Sequence, residues 1–138
     1  MRWLSIILAS FVLLIVGFSC VNNKTNVKQF AANEGNAMKE ISVVGTYEGK
    51  LPCADCSTIA TILSLDNNKN YRLRYKYVGK SEEIFEHKGK WNVRKDILSL
   101  ENIDYGFKIS DDQLNQLDLS GKEIKGDLAE NYILQKVK

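Results

Sequence analysis

The side chains best suited to chemistry are two cysteines held two residues apart, Cys53 and Cys56. A pair at this spacing supports three chemistries: a structural disulfide, thiol–disulfide exchange, or binding of a soft metal ion through thiolates. A disulfide that closes so short a loop stabilises a fold by only about 2 kcal/mol through loop-closure entropy. Its main effect is therefore expected to be local, because it pins the turn before the next strand.

Catalytic thiol–disulfide exchange is the least favoured of the three chemistries. Thioredoxin-like pairs lie at a helix N-terminus, where the helix dipole lowers the pKa of the attacking thiol. Here residues 57–61 favour a strand, and the carboxylate of Asp55 between the cysteines disfavours a thiolate. A weaker form stays open, in which the pair reports the redox state by forming or losing its bond.

The metal hypothesis is restricted to ions that need few ligands. Two thiolates can hold Cu(I), whereas structural zinc needs four nitrogen or sulfur ligands. His87 is the single histidine and Met38 the single methionine after Met1, so one chain cannot assemble a complete zinc site. We expect His87 to be packed or at the surface rather than a ligand. Cys53 and Cys56 are the metal-ligand candidates, with Cu(I) as the candidate cofactor.

The remaining patterns do not indicate an enzyme. The sequence contains no nucleophile elbow, no H-E-x-x-H and no phosphate-binding glycine loop, and one histidine offers little acid–base chemistry. Nucleic acid is also disfavoured as a partner, since the formal net charge is only +2 and no basic patch is present. We therefore expect a sensor, an interaction module or a binding protein, and no catalytic residues.

The N-terminus has the pattern of a lipoprotein signal peptide. Arg2 precedes an almost wholly apolar stretch over residues 3–18, and the sequence Gly-Phe-Ser-Cys then ends at Cys20. We predict a signal peptide over residues 1–19, with Cys20 acylated as the first residue of the mature chain. A plain secretory peptide or an N-terminal membrane anchor are the alternatives. Two or three acyl chains are enough for stable membrane attachment.

Lipidation also accounts for the odd number of cysteines. Once Cys20 is acylated, Cys53 and Cys56 remain as an even pair in an oxidising compartment. Val21 stands where an aspartate would favour the inner membrane, so we expect the outer membrane. Residues 20–41 are polar and without periodicity, which predicts a flexible tether that holds the domain a few nanometres from the bilayer.

From residue 42 the pattern is that of short strands. Tyr71, Leu73, Tyr75 and Tyr77 alternate with Arg72, Arg74 and Lys76, which is typical of a half-buried strand. The predicted strands, separated by turn-forming residues, are Val43 to Lys50, Ser57 to Leu65, the two alternating runs around residues 71–77 and 85–93, Ile97 to Glu101, Tyr105 to Ser110, Gln113 to Leu119, Lys122 to Lys125 and Tyr132 to Lys136. Seven to nine such strands predict an all-β antiparallel meander of up-and-down topology that closes into a small barrel.

The interior of such a barrel is either filled by side chains or holds one small ligand. The candidate interior residues are Tyr71, Tyr75, Phe85 and Trp91, together with Phe107 and Leu117. We expect them to fill the interior. If they do not, the first four are the candidate contacts for a small apolar ligand.

Several of these motifs resemble one family. The chain has Gly45-Thr46-Tyr47 before L-P-C-A-D-C, a Gly89-x-Trp91 motif, and L-x-x-L-D-x-x-G from Leu114 to Gly121. Together they resemble the N-terminal domain of the NlpE family of bacterial envelope lipoproteins, over residues 42–138. The resemblance implies a small lipocalin-like barrel for this region.

The resemblance also implies a role in copper tolerance and envelope-stress signalling. We expect a lipid-anchored module in the cell envelope that acts on a two-component sensor kinase, with the domain in the periplasm or at the surface. Long family members carry a second domain of oligonucleotide-binding-like fold, whereas this sequence stops at Lys138. Roles that need that domain are not expected to carry over. The alternative is a copper-binding protein or a lipocalin-like carrier of a small molecule.

Overall fold

Eight antiparallel strands form a closed barrel in the part of the chain that the structure, a computed structural model, describes, residues 42–138. In chain order they are β1 Gly45–Leu51, β2 Thr58–Leu65, β3 Asn70–Val78, β4 Phe85–Arg94, β5 Ile97–Leu100, β6 Gly106–Ser110, β7 Gln113–Gln116 and β8 Ile133–Lys136, with a 3-10 helix at Ala129–Tyr132 before β8. Each strand pairs with the next, and β8 pairs with β1. The predicted all-β, up-and-down barrel is confirmed.

Period-two alternation explains why these segments form strands. In β3, Tyr71 and Leu73 are buried while Arg72 and Arg74 are exposed. The register pairs Leu73 with Leu63 of β2 and with His87 of β4. Inward-facing side chains therefore meet across neighbouring strands, which is how a small barrel builds its interior.

The strands differ in length, and this difference shapes the barrel. β4 has ten residues and β5 has four, so their pairing covers only Trp91 to Arg94. The first half of β4 pairs with β3 but not with β5. Residues 101–105 connect β5 to β6 at this level of the barrel, and they include the half-buried Ile103 and Tyr105. At the end of the barrel that contains the start of β4, the irregular residues 101–105 therefore take the place of a paired strand beside β4, and we call this the less covered end.

Most of the core lies toward the opposite end of the barrel, whereas its residue Leu51, at the end of β1, lies at the less covered end. The core contains Val43, Tyr47, Leu51, Leu63, Leu65, Tyr71, Leu73, Trp91, Val93, Leu98, Leu100, Phe107, Ile109, Leu114 and Leu134. The polar tips of its aromatic residues reach backbone carbonyls. Tyr71 Oη donates to Glu101 O at 2.6 Å, and Trp91 Nε1 donates to Asp66 O at 3.2 Å. Such partners remove the penalty of burying a polar group.

The glycine of the G-x-W motif makes room for one of these rings. Gly89 pairs with Tyr71 across β3 and β4. A Cβ built on Gly89 would lie 2.9 Å from the Tyr71 ring and 3.4 Å from Glu101 O. A larger residue at position 89 would therefore displace the tyrosine that bonds to Glu101.

Two strand predictions were wrong in extent. Lys122 to Lys125 is not a strand, and a single bridge joins Leu117 to Glu123. The side chain of Asp118 accepts hydrogen bonds from the backbone N–H groups of Ser120 and Lys122, so this segment forms a turn. β7 correspondingly ends at Gln116, three residues before the predicted Leu119.

Other predictions fall on residues that are not described. These are the signal peptide over residues 1–19, the acylated Cys20 and the tether over residues 20–41, which contains Met38. Within residues 42–138, no helix has the length and apolar character needed to cross a bilayer.

Candidate functional site

The two cysteines lie in the connection between β1 and β2, which we call the disulfide loop (residues 52–57). Cys53 and Cys56 are joined by a disulfide, with their Cα atoms 5.4 Å apart. Both cysteines are half-buried, whereas Ala54 and Asp55 at the tip of the loop are exposed. The bond closes a small ring whose tip faces solvent.

Hydrogen bonds hold both ends of the disulfide loop onto the barrel. Thr58 Oγ1 donates to Leu51 O at 2.9 Å, which joins the first residue of β2 to the last residue of β1. Ser57 N donates to Val78 O at 3.0 Å, which ties the loop to the end of β3. The pair leads directly into a strand rather than a helix, so no helix dipole acts on the sulfur atoms.

An ion pair holds the tip of the loop. Asp55 Oδ2 accepts a hydrogen bond from Lys80 Nζ, in the turn between β3 and β4. This bond and the positive charge of Lys80 lower the pKa of the Asp55 carboxyl below its usual value. Gly79 adopts a φ of 81°, and a Cβ there would lie 2.9 Å from Ser57 Oγ, so the turn sits close against the loop.

The same loop is the candidate metal site among the described residues. One sulfur from each cysteine and one carboxylate oxygen of Asp55 all lie within 4.8 Å of one another. In the disulfide form the sulfur atoms are not thiolates, so the pair must be reduced before it can bind a soft ion. His87 does not belong to this group. It lies exposed on β4, with Nε2 3.3 Å from Tyr75 Oη.

A cavity of about 270 Å³ lies beside the disulfide loop, at the less covered end of the barrel. We call it the end cavity. Its lining consists of Leu51, Pro52, Ile59, Thr61, Tyr75, Tyr77, His87, Ile103, Tyr105, Gln116 and Tyr132. Leu51 and Pro52 directly precede Cys53, so the loop and the cavity share a wall.

The tyrosines of the end cavity are partly removed from water. Burial raises the pKa of Tyr105, and burial together with the nearby Tyr77 raises the pKa of Tyr75. The ring of Tyr75 lies parallel to those of Phe85 and His87, at centroid distances of 5.3 and 5.8 Å. The hydroxyl groups of Tyr75 and Tyr105 are therefore neutral at physiological pH, and the ring of Tyr75 forms stacking contacts.

The four candidate interior residues occupy two different environments. Tyr71 and Trp91 are each 3% exposed and belong to the core. Tyr75 lines the end cavity, and the half-buried Phe85 stacks on it. Phe107 and Leu117 are also buried. The structure therefore fills one part of the interior and leaves space in the other.

These features can now be set beside known proteins. A sequence model of the NlpE N-terminal domain matches residues 47–127, which include the disulfide loop, β1 from Tyr47 and the whole of β2 to β7. The chain belongs to the NlpE family. The family resemblance read from the cysteine, G-x-W and L-x-x-L-D-x-x-G motifs is thus confirmed.

Relatives of known sequence and structure agree with this assignment to the NlpE family. Lipoprotein NlpE of Escherichia coli (strain K12) is 28% identical over 137 residues, which are 95% of this chain and 56% of that protein. The crystal structure of the Cpx pathway activator NlpE from Escherichia coli is 31% identical, with a TM-score of 0.53, over 60% of this chain and 46% of that one. This chain thus spans about half the length of these two relatives.

A third relative of the NlpE-like domain is similar in size to the described barrel. The crystal structure of a protein from Shewanella oneidensis is 39% identical, with a TM-score of 0.62. The match covers 67% of this chain and 87% of that one.

Sequence reasoning missed Gln116 and Tyr105 of the end cavity. Gln116 lies two residues after the buried Leu114 on β7, so period-two alternation does place it on the inward face. Tyr105 directly precedes β6 and lies two residues before the buried Phe107, so the strand predicted from Tyr105 would also place it on the inward face. Its position depends on how residues 101–105 fold over the end of the barrel.

Proposed function

We propose that this protein is a lipid-anchored sensor and interaction module of the cell envelope, which signals envelope stress to a two-component sensor kinase. Membership of the NlpE family supports this proposal most directly, since a relative of this barrel is described as an activator of the Cpx pathway. We further propose that acylated Cys20 anchors the chain in the outer membrane and that residues 20–41 tether the barrel to it.

The disulfide loop is suited to contact a partner protein in a way that depends on the redox state of Cys53 and Cys56. Its tip is exposed, and its ends are held by the bonds of Thr58 to Leu51 and of Ser57 to Val78. Reduction by a dithiol, which gives up two electrons and two protons and is itself oxidised to a disulfide, converts Cys53 and Cys56 to two thiols and involves none of the atoms of these hydrogen bonds. The loop can therefore change its conformation while the barrel beneath it stays folded.

Signalling is tested by overproducing the full chain in Escherichia coli that carries a Cpx-responsive reporter. We expect the lipidated chain to induce the reporter, and the Cys20→Ser variant to give a different level because its place in the envelope changes. The Cys53→Ser, Cys56→Ser double variant tests the loop, with Ala54→Ser as the matched control that keeps the disulfide. Reporter levels equal to those of the empty vector for every variant would contradict the proposal.

Copper binding by the reduced loop is the second candidate function. It is favoured by the grouping of two sulfur atoms and the Asp55 carboxylate within 4.8 Å, and thiolates select Cu(I). In this form of the proposal, Cys53 and Cys56 bind Cu(I) once reduced. His87 lies outside the group and supplies no ligand.

Thiol trapping decides between these two uses of the cysteines. Native cells are quenched in acid and alkylated, and the peptide that holds Cys53 and Cys56 is analysed by mass spectrometry. Full oxidation in unstressed cells supports the disulfide sensor and contradicts resident Cu(I). A reduced pair that resists alkylation until a copper chelator is added supports Cu(I) binding.

A further inference from the structure

The end cavity has a chemistry that neither lipidation nor signalling uses. Its eleven lining residues include four tyrosines and several aliphatic side chains, and none is an aspartate, glutamate, lysine or arginine. Burying a charge without a partner is strongly unfavourable, so such a lining favours a neutral ligand. Its volume of about 270 Å³ is just below the range of drug-sized sites, which indicates a small molecule.

One polar atom in this region lacks a partner. Gln116 Oε1 is buried and accepts no hydrogen bond from any described residue. Nearly all buried side-chain oxygens in native proteins have a partner, because an unpaired one is destabilising. The neighbouring Thr61 hydroxyl donates to Ile59 O, and the Tyr75 hydroxyl lies beside His87. Gln116 is thus the cavity-lining group that most needs a donor.

Position on the strand explains why Gln116 meets the cavity. β7 alternates so that Leu114 faces the core, and Gln116, two residues later, faces inward at the level of the cavity. Gln116 pairs with Phe107 of β6, which is fully buried. Its amide is therefore set among apolar and aromatic groups, where a hydrogen bond is stronger than in water.

We propose that the end cavity binds a small, neutral, planar organic molecule that carries an O–H or N–H donor, and that Gln116 Oε1 accepts this hydrogen. The rings of Tyr75, Tyr77 and Tyr105 provide surfaces for stacked or edge-on contacts with a planar ligand. Leu51 and Pro52 form the wall shared with the disulfide loop, so a bound molecule contacts the residues that precede Cys53. This site is independent of the proposed signalling function.

The test uses two probes that differ in one hydrogen-bond donor. 2-Naphthol carries an O–H, whereas 2-methoxynaphthalene has a similar ring system without a donor. Each is titrated into the ¹⁵N-labelled full chain in detergent micelles, and binding is followed through backbone amide shifts. We expect shifts at residues of the cavity wall such as Ile59, Tyr77 and Ile103.

The donor is assigned by comparing variants. In the unmodified protein we expect 2-naphthol to bind about three- to tenfold more tightly than 2-methoxynaphthalene, the range of one net hydrogen bond. Gln116→Leu, which keeps the size of the side chain, should abolish this preference. Gln135→Leu is the matched control, since Gln135 is exposed on β8, and it should keep the preference.

The two probes partition differently into detergent, so each affinity is calculated from the free probe concentration measured in micelles without protein. Equal affinity of the two probes for the unmodified protein would overturn the proposal. So would a preference that survives in Gln116→Leu, or amide shifts confined to residues away from the cavity. Because the first of these outcomes needs no substitution, the test does not depend on the folding of a variant.

Discussion

At one end of the barrel Tyr71 and Trp91 are each 3% exposed and donate to backbone carbonyls. At the other end Tyr75 and Phe85, on the same two strands, are half-buried and stack beside a cavity. The inward alternation is identical at both ends. The difference arises because β5 is short and covers only the second half of β4. A barrel of this size can therefore combine a packed core with a cavity without changing its strand pattern.

The largest expected difference between the two ends concerns stability. Trp91→Ala should lower the free energy of unfolding by about 3–5 kcal/mol, because it removes a large buried ring from the core. Phe85→Ala should lower it by only about 1 kcal/mol, since Phe85 is half-buried. Urea denaturation followed by far-ultraviolet circular dichroism measures both. Equal losses would show that the two ends are packed alike.

Loss of the disulfide should destabilise the barrel and loosen it locally at the end that contains the cavity. The Cys53→Ser, Cys56→Ser double variant should lower the free energy of unfolding by about 2 kcal/mol, because a short loop is released. Native-state hydrogen exchange should show faster local opening at residues 52–59, with Ala54→Ser as the control. Faster local opening at Leu65 and Tyr71 as well would contradict a local role for the disulfide.

Removal of a single tyrosine hydroxyl should also destabilise the two ends of the barrel to different extents. Tyr71→Phe leaves the Glu101 carbonyl without its donor and should cost about 1–2 kcal/mol of unfolding free energy. Tyr75→Phe removes a hydroxyl that contacts the exposed His87, and it should cost less than about 0.5 kcal/mol. Thermal unfolding of the two variants under identical conditions provides the measurement. The reverse order would place the buried hydrogen-bond network at the cavity end.

The smallest effect concerns the charge at the tip of the disulfide loop. Because the hydrogen bond and charge of Lys80 lower the folded-state pKa of Asp55, the ion pair's contribution to stability is complete above the ordinary carboxyl pKa. It is lost as the pH falls through the lowered value. A ¹³C NMR titration should give a low midpoint for Asp55, and Lys80→Met should raise it. An unchanged midpoint in Lys80→Met would mean that this ion pair is not formed in solution.

Most of the fold was predictable because its signals are local. The alternation in β3 and the turn residues between strands can be recognised without tertiary information. The first four predicted strands accordingly agree with β1 to β4 to within about two residues at each end. The segment around Lys122 was misread, because Asp118 uses its side chain to bond two backbone N–H groups. Competition between side-chain and strand hydrogen bonds is not visible in hydrophobic alternation.

The candidate site was predictable in part. The spacing of Cys53 and Cys56 pointed to the disulfide loop, and Asp55 was recognised as a charge between the sulfur atoms. The partner of that charge, Lys80, is 25 residues away and is brought to the loop by the β2–β3 pairing. The end cavity is likewise lined by residues far apart in the chain. Alternation places Gln116 on the inward face of β7, but only the fold shows that this face meets a cavity.

The sequence by itself determined the family, the all-β class, the position of the cysteine pair and which side chains of β3 face inward, because each follows from local spacing and residue type. Only the tertiary structure decided that the inward-facing residues form a core at one end and a cavity at the other. That outcome depends on the pairing length of β5 against β4 and on how residues 101–105 cross the barrel. Contacts between residues far apart in the chain set both, and no local pattern encodes them.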